Sequence, residues 1–347
     1  MNFGIFGKYE KEAECCLPVL VETSRLSIKF REELTKNQVV HKEDNSPVTI
    51  FDFVIQAFIV KAITSQFPDD YIVAEESLER SDDEFLEQVK KYLPKDFDIY
   101  QLFQKTHKTA PSNITRFWAI DPIDGTSGFK HNLPSQQAVS QYAIAICLIE
   151  NKDCVFSAVG WPTQIPLLSG FEKAEPAFFY AARKIGSFYT TQSIIDDKNC
   201  SKVGELNSGF IRVKVPENPE KKQLLPPSQK QIVVSKMKDI ATELGFQYNP
   251  IECTSMTKGF SLALGAGSYY VRKPYMSSEY VFDIAPFSMF VEEAGGISTT
   301  GDGKKLLFTN DGYAAGTECG LLFSVLGPEF HQKLVNAYSK AFEIEKV

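Results

Sequence analysis

Apolar residues recur along the chain in two periods, and the switches between them mark out helices and strands. From Glu10 to Leu34, apolar or small residues at Leu17, Leu20, Val21, Ser24 and Ile28 share one side of a predicted helix. A charged turn at Lys42–Ser46 and an extended Ser46-Pro47-Val48-Thr49 precede a second helix. That helix runs from about Asp52 to Ser65 through Phe53, Ile55, Phe58, Ile59 and Ile63. Tyr71-Ile72-Val73-Ala74 reads as a short strand ending on Glu75-Glu76, and Phe117-Trp118-Ala119-Ile120 as a buried strand that feeds Asp121. Residues 79–116 are polar and irregular, read as an acidic helix followed by a surface insertion. Tyr142–Ile149 and Val155–Gly160 are predicted to pair across the turn Glu150–Asp153. Ala177–Tyr180 and Ser187–Thr190 repeat that pattern around Arg183–Gly186.

Pro216–Gln229 holds four prolines and reads as a linker or long loop. Beyond it strands and helices alternate. Ile232-Val233-Val234 is a predicted strand, followed by a helix to Leu244, a helix from Ser255 to Ala266 and the strand Tyr269–Arg272. A helix from about Ile284 to Ala294 stops at Gly295-Gly296, and the strand Gly320–Val325 and helix Glu329–Phe342 follow. Strands first and alternation later predict a layered α/β protein with mixed sheets and two lobes. The expected division is an α+β lobe over 1–155 and an α/β lobe over 156–347. The small-residue run Leu262–Ala266 reads as core packing, with a dimer face as the alternative.

Composition narrows the chemistry. Seven scattered cysteines without a CxxC pair predict free thiols in a reducing compartment, and four dispersed histidines make a histidine-rich metal site improbable. The N-terminus lacks a signal-peptide pattern and no run suits a membrane span, so a cytoplasmic protein is expected. With 44 acids against 37 bases the formal charge is −7, the wrong balance for a nucleic-acid polymer binder. An acidic protein can still act on a small phosphate, through cations, helix N-termini or a few local bases.

Acidic residues stand where strands end or helices begin: Glu75-Glu76, Asp121 with Asp124, Asp283 and Asp52. Oxygen-only carboxylate clusters suit Mg²⁺, and paired ions serve in-line phosphoryl displacement. Taken singly, Asp52 and Asp283 read better as helix N-caps and Glu75-Glu76 as solvated charge, while Asp-Pro-x-Asp-Gly fits a plain surface turn equally well. The conjunction changes that reading, because a buried apolar strand runs directly into two carboxylates, a glycine and a threonine. The two residues Pro122 and Ile123 between the acids break the Asp-x-Asp geometry of aspartyl-nucleophile phosphatases. EF-hand, GxGxxG and P-loop patterns are missing.

At this point the chain resembles the inositol monophosphatase superfamily of lithium-sensitive, Mg²⁺-dependent phosphatases. The likeness rests on Glu75-Glu76-Ser77, on Asp121-Pro122-Ile123-Asp124-Gly125-Thr126 and on Phe282-Asp283 before Ala294-Gly295-Gly296. Lys42–Thr49 followed by Asp52, Phe67-Pro68-Asp69-Asp70 and Thr126-Ser127-Gly128-Phe129 resemble its 3′(2′),5′-bisphosphate nucleotidase branch. The resemblance implies an αβαβα sandwich of sugar-phosphatase type. It implies hydrolysis of adenosine 3′,5′-bisphosphate to AMP, and action on phosphoadenylyl sulfate as well, by a monomer or homodimer. Glu75, Asp121 and the carbonyl of Ile123 would hold one Mg²⁺, and Asp121, Asp124 and Asp283 a second. A third ion would lean on Glu75 and water. Thr126 with Asp52 would orient and deprotonate the attacking water, and the backbone N–H groups of Gly125 and Thr126 would cradle the phosphate. Ser255, Lys258 and Arg272 match nucleotide contacts, the two bases holding the phosphate that is not cleaved.

Three departures stand out. Phe282 replaces the family's tryptophan, and Pro286 replaces an alanine in what is expected to be the first turn of a helix. A histidine that helps read the nucleotide is missing near Val234-Ser235-Lys236-Met237-Lys238, where the lysines would have to replace it. An inositol phosphatase is therefore the alternative, and a catalytically silent phosphate-binding relative is the reading from another class.

Overall fold

A computed structural model describes residues 1–33, 39–41, 47–78, 83–130, 139–197, 209–227 and 229–344, with the backbone alone at 39–41 and 47–48. The charged turn expected at Lys42–Ser46 lies outside the described residues. Most of the predicted strands join one eight-stranded sheet. Its order is Ile211–Val213, Gly186–Thr191, Ala177–Ala182, Asp153–Trp161, Ala143–Glu150, Arg116–Asp124, Tyr71–Ala74 and Thr106–His107. Neighbours are antiparallel except at one edge, where Tyr71–Ala74 runs parallel to both Arg116–Asp124 and Thr106–His107.

Arg116–Asp124 reads as an unbroken apolar run because both faces of the sheet are covered. Trp118 and Ile120 enter the core under helices Glu10–Glu33 and Ile50–Gln66. Phe117 and Ala119 enter the opposite core, under helix Val281–Glu293. Ile50–Gln66 begins with a capping box. Thr49 Oγ1 accepts the Phe51 N–H at 3.1 Å, and Asp52 Oδ2 accepts the Thr49 N–H at 2.7 Å.

A second, five-stranded sheet has the order Ile251–Glu252, Gln223–Leu225, Tyr269–Arg272, Leu321–Ser324 and Ile297–Thr300. Helices Thr257–Ala263 and Val281–Glu293 fill the space between the two sheets. Helices Gln231–Glu243 and Pro328–Phe342 cover the far side of the second sheet over Leu225, Met237, Leu322, Leu334 and Tyr338. The stack is therefore helix, sheet, helix, sheet, helix, the αβαβα order that the resemblance implies. Strand Asp153–Trp161 straddles the expected division at 155/156, and by sheet membership the changeover falls between Val213 and Gln223.

Three local expectations need correction. Ile232-Val233-Val234 is not a strand but the start of helix Gln231–Glu243, whose buried positions Val233, Met237, Ile240 and Ala241 follow the helical period while Ile232 faces solvent. The proline-rich segment 216–229 is not all loop, since Gln223–Leu225 is a buried strand parallel to Tyr269–Arg272. Helix Val281–Glu293 starts earlier than expected, so Pro286 lies inside it and not in its first turn, and removes an N–H that would reach back to the Phe282 carbonyl. Leu262 and Ala263 are fully buried in the core between the sheets. Cys15, Cys16, Cys147, Cys154 and Cys253 are buried free thiols, and no described helix is long and apolar enough to cross a membrane.

Candidate active site

The site forms where the central strand leaves its regular pairing. Asp121 stands opposite Ala145 and Asp124 opposite Ala143, with a shift of register between them. Pro122 has no N–H to give to the ladder, so a bulge here is where a proline fits. The irregularity turns two acids that alternate along one strand towards a common point. Asp121 Oδ1 accepts the Ile123 N–H at 3.0 Å, and Thr126 Oγ1 donates to the Ile123 carbonyl at 3.1 Å. Gly125 follows in the left-handed region (φ +88°), and a Cβ there would stand 3.0 Å from Ser255 Cβ and 3.1 Å from the Gln141 carbonyl. Only glycine meets both demands at that position.

Two later segments meet these acids, the residues just before helix Thr257–Ala263 and the first turn of helix Val281–Glu293. Ser255 Oγ donates to Asp124 Oδ2 at 2.6 Å, and the Met256 N–H donates to the same oxygen. Ser255 itself lies at φ +64°, an uncommon backbone conformation for a residue with a side chain. Asp283 arrives in the first turn of helix Val281–Glu293, whose N-cap, Tyr280, supplies no side-chain cap. One oxygen from each of Asp121, Asp124 and Asp283 lies within 4.8 Å of the others. Glu75 adds its charge from the end of strand Tyr71–Ala74, its N–H bonded to the Ile120 carbonyl at 3.1 Å.

Burial, then the charges of Glu75, Asp124 and Asp283, push the Asp121 carboxyl well above the usual carboxylate range. Asp283 rises for the same reason, first through burial and then through Asp124 and Glu75. Acids this close and this buried cannot all ionise without a compensating cation. The donors are all oxygens, the set that a hard divalent cation prefers. The three aspartates therefore fit a metal ion.

Asp52 sits deeper. Its Oδ2 takes both the Thr49 N–H and the Thr49 hydroxyl at 2.7 Å, whereas its buried Oδ1 has no hydrogen-bond partner among the described residues. Burial and then the charges of Glu76 and Glu75 raise its pKa. Among the described residues no hydrogen bond joins Asp52 to Thr126, the pair expected to act together on water. Neither Asp52 nor Asp283 is an N-cap: each lies one position or more inside its helix.

Next to the acids lies a cleft of roughly 250 Å³, lined by Lys258, Arg272, Pro226, Pro227 and Tyr275 together with Asp124 and Asp283. Lys258 is buried, donates to the Ser255 carbonyl, and has its pKa lowered by burial against the opposing pull of Asp124. Arg272 Nε lies 2.9 Å from Glu279 Oε1, an ion pair without good hydrogen-bond alignment. The lysines of Ser235–Lys238 play no part here. Lys236 Nζ donates to the Ala341 carbonyl at 2.5 Å, and Lys238 lies over Tyr248. Pro226, Pro227 and Tyr275 line the cleft and Glu279 pairs with the lining Arg272, residues that no motif marked.

The model of the inositol monophosphatase family matches residues 14–341, nearly the whole chain. The chain belongs to the inositol monophosphatase family. Within that family it is similar to a 3′(2′),5′-bisphosphate nucleotidase of Schizosaccharomyces pombe, 28% identical across 86% of this chain and 88% of the relative. It is also similar to a 3′(2′),5′-bisphosphate nucleotidase of Dictyostelium discoideum, 26% identical across 78% and 80%. An IMPase from Thermotoga maritima shares its fold, with a TM-score of 0.62 at 20% identity over 96% of this chain and 98% of that one.

Proposed function

We propose that this family member is a Mg²⁺-dependent phosphomonoesterase that removes the 3′(2′)-phosphate of adenosine 3′,5′-bisphosphate to leave AMP, and accepts phosphoadenylyl sulfate as well. The observation that carries this reading is the convergence of Asp121, Asp124 and Asp283 oxygens within 4.8 Å, beside a cleft walled by Lys258 and Arg272. Relatives named as bisphosphate nucleotidases, similar over most of their length, support the substrate.

Asp121, Asp124 and Asp283, with Glu75 and the Ile123 carbonyl, would hold two or three Mg²⁺. Bound there, the cations would supply Lewis-acid polarisation of the phosphoryl group and of a water. Thr126, whose hydroxyl proton is given to the Ile123 carbonyl, accepts from the attacking water and so orients it. Asp52, whose buried Oδ1 has no hydrogen-bond partner among the described residues, is assigned the proton that water loses. The new oxygen–phosphorus bond forms in line as the ester bond breaks, and the leaving ribose oxygen takes up a proton. The backbone at Gly125 and Thr126 approaches the cleaved phosphate, while Lys258 and Arg272 hold the other one. Ser255, expected as a nucleotide contact, is better placed to fix Asp124.

An inositol phosphatase is the second reading, favoured because no histidine lines the cleft among the described residues. Buried free thiols support a reducing, cytoplasmic location, and a monomer or homodimer is proposed. Phosphate release from adenosine 3′,5′-bisphosphate with Mg²⁺, blocked by lithium, is the expected result. Turnover of an inositol phosphate alone would replace it.

A further inference from the structure

Beside the cleft stands a cation that the hydrolytic reading leaves unused, Lys273, against the ring of the cleft-lining Tyr275. In the lining itself, Arg272 is paired with Glu279, and Lys258 donates to the Ser255 carbonyl and faces Asp124 and Asp283. Lys273, directly after strand Tyr269–Arg272, forms no salt bridge among the described residues. Its Nζ stands instead 3.8 Å from the centroid of the Tyr275 ring. Tyr275 lines the cleft, is 41% exposed, and also has the Arg272 guanidinium carbon 5.0 Å from its centroid.

This segment is tied down and does not trail in solvent. The Tyr275 N–H donates to the Glu318 carbonyl at 2.9 Å, Ser278 Oγ to Glu318 Oε2 at 2.6 Å, and the Glu279 N–H to Thr317 Oγ1 at 2.7 Å. Arg272, Lys258 and Lys273 all act on the Glu279 carboxyl, opposing the upward push of its burial. Arg272 and Lys258 thus line the cleft together with Asp124 and Asp283, and Lys273 adds a third positive charge next to the lining Tyr275. A substrate with its scissile phosphate at the aspartates would present a second anionic group to these bases.

We infer that Lys273, held against the Tyr275 ring, is a specificity-determining cation that contacts the uncleaved phosphate and so distinguishes bisphosphate from monophosphate substrates. The inference rests on the reading of this cleft as the phosphatase site, but not on which ring carries the two phosphates. Tyr275 is a positioning residue: its ring face holds the ammonium group by a cation–π contact.

The test compares kcat/KM on two substrate couples, adenosine 3′,5′-bisphosphate with adenosine 3′-monophosphate, and inositol 1,4-bisphosphate with inositol 1-phosphate. In Lys273→Ala the bisphosphate-to-monophosphate ratio is expected to fall about tenfold, mainly through KM for the bisphosphate, as one charge-assisted contact is lost. Tyr275→Ala lowers the ratio in the same direction, and Tyr275→Phe restores it because the ring face remains. Raising ionic strength erodes the wild-type ratio more than that of Lys273→Ala. An equal fall on both members of a couple, or an unchanged ratio, would overturn the inference. If the wild type turns over only the inositol couple, the nucleotide reading fails, and the ratio on that couple still decides the role of Lys273.

Discussion

Ser255 donates its hydroxyl to Asp124 Oδ2 at 2.6 Å while its own backbone is held in the left-handed region at φ +64°. The central strand supplies the acid and a residue 131 positions later fixes its orientation. Ser255→Ala removes a hydrogen bond to a carboxylate of the acidic cluster proposed to hold metal. Such outer partners are worth about 10–100-fold in metal affinity or activity. The expected result is a Mg²⁺ activation curve shifted to higher concentration, with partial recovery of rate at saturating Mg²⁺. An activation curve identical to wild type would remove Ser255 from this role.

Gly125→Ala tests the turn itself. A methyl group would press on the Gln141 carbonyl and on Ser255 Cβ, and the backbone at φ +88° resists any side chain. A loss of about 1–3 kcal/mol in stability is expected from the strained conformation, together with a large fall in kcat. Urea unfolding and steady-state rates measured on the same preparation check both.

Metal removal should make stability depend on pH in a particular direction. Asp52, Asp121 and Asp283 have folded pKa values raised chiefly by burial. The folded chain then binds more protons than the unfolded one above the ordinary carboxylate pKa of about 4. Their contribution is full below that pH and is lost as pH rises through the raised values. In EDTA the melting temperature should fall as pH is raised above the ordinary carboxylate pKa of about 4, and Mg²⁺ should restore more at the upper end. A melting temperature independent of both pH and Mg²⁺ would contradict the buried acidic cluster.

His331 works in the opposite sense. Its ring bonds to Thr299 Oγ1 at 3.0 Å and Ser324 Oγ at 2.8 Å, and burial lowers its pKa to about 4. The neutral ring stabilises the fold above the unfolded value of about 6.5, and that contribution is lost as pH falls towards the folded value. His331→Gln should be less stable at neutral pH and lose less on acidification. Urea midpoints at pH 7 and pH 5 measure the difference.

Much of the site was legible in sequence because the chemistry is concentrated in a few residues. The apolar run Phe117–Ile120 reads as a strand covered on both faces, and its direct passage into Asp121 and Asp124 pointed to the acidic cluster. Helices with a clear apolar face, such as Glu10–Glu33, were equally plain. The strand Gln223–Leu225 was not, because three residues beside prolines are too few to show a period. Ile232–Val234 misled because β-branched residues favour strands, whereas the packing of Val233, Met237 and Ile240 decides for a helix. The bond from Ser255 to Asp124 spans 131 residues, and the Lys273–Tyr275 contact beside the cleft depends on how one loop is pinned to Glu318. No spacing pattern encodes either.

Asp121, at the end of the buried strand, is proposed to bind catalytic metal for phosphate release from a bisphosphate nucleotide. The direct measurement is the rate of phosphate release from adenosine 3′,5′-bisphosphate across a Mg²⁺ titration, for the wild type and for Asp121→Asn. The expected outcome is Mg²⁺-dependent turnover by the wild type and none by a folded Asp121→Asn, whose melting temperature in EDTA at pH 8 exceeds that of the wild type. Turnover by Asp121→Asn near the wild-type rate would contradict the account.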